Sequence, residues 1–192
     1  MTGIEHDGIS ALLRGALTDH EPGADPVLFG IWREDDDITM MDLGSLTKLL
    51  LTAEQSGQPI GTALGLVARF AQDETLDDLG VSDPTNLIAI VLRVETWMVD
   101  AADNDISLDL AKLLTGEHRM KEHPNATTAF ACWAHCVDGT GHEAVWRELE
   151  SAPRSRVIPA GNRQWRTDQI PKGLQQLLKT IIDLRRRGTG PI

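Results

Sequence analysis

The stretch TTAFACWAHCVDGTGHEAVWREL, Thr127 to Leu149, decides the fold. Two runs of strand-forming residues flank Asp138-Gly139-Thr140-Gly141, whose residue types suit a tight reversal, so the segment predicts a β-hairpin. With the turn at 138 to 141, Val137 faces His142, His135 faces Ala144 and Trp133 faces Trp146. His135 and His142 then share one face as diagonal neighbours, about 5 to 7 Å apart.

Upstream, Leu87 to Val99 alternates as a strand, with Ile88, Ile90, Leu92, Val94 and Met98 on one side and Arg93, Glu95 and Trp97 on the other. Laid beside the hairpin, it adds those three residues to the face that holds the histidines. The expected surface joins Trp97, Trp133 and Trp146 with two histidines and an Arg–Glu pair. Trp and Arg are favoured interface anchors, so such a face suits a partner. The alternative is that helices cover it as a second core layer.

Outside this region the helical period dominates. Ile9, Leu12, Leu13, Ala16 and Leu17 mark a first helix closed by Glu21-Pro22-Gly23. Pro26 to Arg33 alternates as a strand, and the carboxylate run Glu34 to Asp37 turns it back into Ile38 to Met41. Helices follow at Leu43 to Ala53 and after Pro59, the latter carrying Ile60, Leu64, Val67, Ala68 and Ala71 along one side. Ile106 to Leu114 reads as a short helix and Gly116 to Pro124 as a polar connection containing His118 and His123. Arg154 to Arg166 reads as irregular and basic. Thr167 or Asp168 caps a last helix with a Leu174, Leu177, Leu178, Ile181 and Ile182 stripe, ending in Arg185-Arg186-Arg187 and Gly188. The strand signals lack regular βαβ alternation. The expected fold is α+β: a predominantly antiparallel sheet with a C-terminal hairpin, packed against helices, plus a C-terminal amphipathic helix.

Charge is sorted by position. Residues 1 to 150 hold 9 Lys and Arg against 27 Asp and Glu, a net −18, whereas residues 151 to 192 hold 9 against 2, a net +7. An acidic α+β domain over 1–150 and a basic segment over 151–192 follow, the helix of the latter docking on the same domain or on a neighbouring subunit. At 192 residues, 41% hydrophobic and 24% charged, the chain is large enough to bury a core without disulfides or metals. The start of the chain lacks a basic region followed by an apolar one, and the apolar run Leu87 to Leu92 is too short to span a bilayer, which predicts a cytoplasmic protein off the membrane.

The chemistry-bearing residues define no reaction. Cys132 and Cys136 lie about 13 Å apart along one strand, beyond disulfide reach, and read as reduced core residues. His142-Glu143-Ala144-Val145-Trp146 opens like a zincin motif but places Trp where the second histidine belongs. Val137-Asp138-Gly139-Thr140 resembles the end of a dehalogenase motif, yet Cys136 stands where its nucleophilic carboxylate belongs. No P-loop, G-x-S-x-G or dinucleotide fingerprint occurs. Asp35 to Asp37 lack the glycine and distal glutamate of a calcium loop. The expectation is a non-catalytic interaction or assembly protein, binding a protein partner or itself, without cofactor or metal, using Trp97, Trp133, Trp146, Arg163, Trp165, Arg166, Arg185, Arg186 and Arg187. Two alternatives are an enzyme built on His135, His142, Glu95 and Arg93, and nucleic-acid binding through the basic segment, which the acidic body disfavours.

Overall fold

A computed structural model describes residues 1–35, 37–81, 84–98, 126–147, 150–163, 165 and 168–188, with Ile4, Trp97 and Met98 as backbone. The elements run α1 (Gly3–Thr18), β1 (Val27–Glu34), β2 (Asp37–Asp42), α2 (Gly44–Gln55), α3 (Ile60–Phe70), β3 (Leu87–Met98), β4 (Thr127–Cys136), β5 (Gly141–Arg147), β6 (Arg154–Ile158) and α4 (Gln169–Gly188). The fold is α+β. Six strands form one antiparallel sheet in the order β2-β1-β3-β4-β5-β6. The expected helix at 106–114, the connection at 116–124 with His118 and His123, and the residues Arg166 and Thr167 lie outside the described residues.

Alternation along the central strands divides the core in two. Ile90, Leu92 and Trp133 point to a layer built by α2, α3 and α4, where Leu46, Leu50, Leu64, Val67, Leu174, Leu177 and Ile181 are buried. Val91, Cys132, Ala134 and Ala144 point the other way, to Ile9, Leu13, Ala16 and Leu17 of α1. Both faces of the sheet are therefore covered. The Leu/Ile stripe of the basic segment completes this chain's own core, so α4 docks on the body that precedes it. Ile182 is the partial exception, half-buried at the edge of the stripe.

Two expectations need correction. The hairpin pairs His135 with Gly141, Ala134 with His142, Trp133 with Glu143 and Phe130 with Trp146, three residues out of step with the predicted register. The turn is tighter than 138 to 141. The Cys136 N–H donates to the Thr140 carbonyl, Asp138 Oδ1 accepts the Thr140 N–H, and Gly139 takes a φ of +83°, so pairing resumes at Thr140. An odd slip reverses the faces of one strand relative to the other, which puts His135 and His142 on opposite sides of the sheet. They cannot converge on one ion.

The second correction concerns Arg154 to Ile158, which forms the edge strand β6 rather than irregular chain. Only Ile158 is buried there, and Arg154 and Arg156 are exposed, so the apolar alternation that announces a strand is missing. Backbone pairing with β5 makes it a strand, helped by Arg14 on α1, whose guanidinium donates to the Ser155 hydroxyl.

Candidate functional site

The histidine that sequence reasoning singled out has other partners. His142 is fully buried between β5 and α1. Its Nδ1 lies 3.2 Å from Ser10 Oγ, and its Nε2 lies 3.0 Å from His6 Nδ1. His6 Nε2 in turn lies 3.4 Å from the Asp138 carboxylate in the hairpin turn. A carboxylate only accepts, so with His6 neutral Ser10 donates to His142, His142 to His6, and His6 to Asp138; with His6 protonated both of its ring nitrogens donate, and the order runs from His6 through His142 to Ser10. Burial, and then the neighbouring His6, push the His142 pKa down to about 4. Burial pushes Asp138 upward, but hydrogen bonds from Thr140 and the charge of His6 outweigh it and leave the carboxyl below its usual range. Sequence spacing gave no sign of this cluster, because Ser10 and His6 reach His142 across more than 130 residues.

Arg93 and Glu95 do other work on the same face. Glu95 accepts the Gly23 N–H at 2.7 Å, and Arg93 reaches the Ala16 carbonyl at 3.4 Å and lies over the Phe29 ring. Together they fasten the exit of α1 to β3. His20 beside them lies tilted against the Phe130 ring, with centroids 4.6 Å apart, and its pKa is lowered by burial and then by Arg93. The Trp146 indole donates to the Glu150 carbonyl, while the Trp97 side chain lies outside the described residues. Cys132 and Cys136 are free and buried, with burial pushing both thiols up to about 12.

Open space lies across the sheet. A cleft of about 470 Å³ opens between β4, β5 and β6 and the first residues of α3 and α4, and Trp133, Glu143, Arg156, Asn162 and Trp165 line it. Glu143 accepts from the Trp133 indole N–H at 3.0 Å and from Arg156. Trp165 is buried against the bare Cα of Gly141, where an added Cβ would come within 2.3 Å of the indole. Its backbone N–H is held by Asn162 Oδ1 at 3.0 Å. Two tryptophans expected at an interface thus meet in one cleft. His135 is on this same face, buried, with its pKa lowered by desolvation.

The basic residues divide as well. Arg185 and Arg187 donate to the backbone carbonyls of Thr85 and Gln72, Arg186 pairs with Asp183, and Arg163 is exposed. The first two therefore anchor the end of α4 to loops of the same chain. No group of three or more metal-ligating side chains occurs among the described residues, and no helix among them is long and apolar enough to cross a membrane. Compared with protein-family models, curated proteins and solved structures, the chain matches none.

Proposed function

We propose that this protein works by binding a protein partner, without turning over a substrate. The observation that carries the reading is the separation of the two kinds of site. In the Ser10–His142–His6–Asp138 chain, Ser10 and His142 are buried between α1 and the sheet, and the surface end is His6 and Asp138. The open cleft lies across the sheet and is lined by Trp133, Trp165 and the Glu143–Arg156 pair. A nucleophile needs access to a reacting atom, and the Ser10 hydroxyl beside His142 is buried. Aromatic rings with a fixed ion pair supply what an interface anchor needs: large area, a rigid shape and a few directed polar groups.

Light scattering of the purified protein from about 50 to 500 mM salt, repeated with Arg156→Ala, tests this reading, because contacts between exposed charges weaken as the Debye length falls. Binding by this surface predicts association, with itself or with an added partner, that weakens with salt and in the variant. A monomer of constant mass at every salt, with nothing recovered on the immobilised protein, would contradict it.

A further inference from the structure

Helices α3 and α4 run side by side in the same direction: Gly61 meets Gln169, Leu64 meets Gly173, Ala68 accepts from Thr180, and Gln72 accepts from Arg187. Their outward surface differs from the rest of the molecule. A groove of about 260 Å³ runs between them, with Arg69 and Lys172 on its two walls and Gln176 beside them. Lys172, Gln176 and Lys179 recur along the exposed side of α4 at helical spacing. Among the described residues, Arg69, Lys172 and Lys179 have no carboxylate partner, in a chain whose net charge is −11. On α3, Leu66 and Phe70 stand one turn apart, 42% and 54% exposed, whereas Leu64 and Val67 of that helix are buried.

Unpaired cations beside exposed apolar side chains form a two-part surface, and the parts call for different things from a ligand. The cations require anions, while Leu66 and Phe70 gain only from apolar area removed from water. A nucleic-acid backbone would supply the anions alone and leave Leu66 and Phe70 without apolar cover, while the field of the acidic body opposes any anionic ligand alike. A helix that carries carboxylates beside a Leu-type stripe supplies both and fits a groove between two helices. We infer that the α3–α4 groove docks an acidic amphipathic helix of a partner protein, its carboxylates meeting Arg69 and Lys172 and its apolar side chains covering Leu66 and Phe70. This rests on the protein-binding role proposed above and names the chemistry of the partner. It also accounts for the sorting of charge along the sequence: the basic segment is docked by its apolar stripe and turns its lysines outward.

Fluorescence anisotropy of a labelled helical peptide, with Leu at i, i+3, i+4 and i+7 and Glu between, tests the inference. The wild-type protein should bind it, with affinity falling as salt rises. Arg69→Glu/Lys172→Glu and Leu66→Ser/Phe70→Ser should each weaken binding about tenfold or more, the size expected of one or two anchor residues. All four positions are exposed, so thermal melting should show both variants folded. Equal affinity for wild type and either variant would overturn the inference, as would tighter binding of a single-stranded oligonucleotide than of the peptide. If the peptide fails while the salt-sensitive association described above persists and depends on Arg156, the groove assignment falls and the binding role stands.

Discussion

Burial, helped by the neighbouring His6, keeps the His142 imidazole neutral until its pKa of about 4, whereas in the unfolded chain it takes up a proton near 6.5. The unfolded state then binds more protons across that interval, so the stabilising contribution is complete above pH 6.5 and is lost as pH falls toward 4. For His142 alone the loss between pH 7 and pH 5 is about 2 kcal/mol. The lowered pKa values of His20 and His135 act with the same sign. Urea unfolding at the two pH values should show this loss in the wild type and a shallower one in His142→Gln; equal slopes would mean that the buried imidazole is not responsible.

Two glycines separate backbone freedom from close approach. Gly15 lies in α1 with nothing within 4 Å of an added Cβ, so Gly15→Ala should stabilise by about 0.5 to 1 kcal/mol in a thermal melt. Gly141 has the Trp165 ring on its Cα. Gly141→Ala should destabilise by about 1 to 3 kcal/mol and shift the tryptophan emission, because the ring must move. An unchanged spectrum would mean that Trp165 is not packed there.

At the scale of elements, the contact between α3 and α4 depends on side chains that are absent. A Cβ on Gly173 would come within 2.6 Å of Leu64 Cβ, so Gly173→Ala forces the helices apart and should cost about 1 to 3 kcal/mol in denaturant unfolding. A neutral result would show that the pair is loosely packed. The amphipathic stripe of α4, its arginine-rich end and the strands β1 to β5 were legible in the sequence, because each combines a strong period with turn or cap residues. β6 was not, because only Ile158 of this edge strand is buried and nothing requires an apolar alternation along it. The hairpin itself was legible and its register was not. Asp138 and Gly139 announce a reversal, but only the side-chain bond to the Thr140 N–H shows where pairing restarts. That local choice decided whether His135 and His142 meet, so the proposed histidine pair failed while Trp133 and Trp165 met in the cleft through contacts that periodicity does not encode.

For the whole molecule, one long-range feature organises the rest. The sheet is covered on one side by α1, and on the other by α2, α3 and α4, whose outer surface and leading ends hold the groove and the cleft. The proposed binding role places the partner on the second side. Photo-crosslinking in living cells, with the reactive residue placed singly at Leu66, at Asn162 and at Asp7 of α1, measures this directly. The prediction is adducts of one discrete mass from Leu66 and from Asn162, and none from Asp7. Adducts confined to Asp7, or none at any of the three positions, would contradict it.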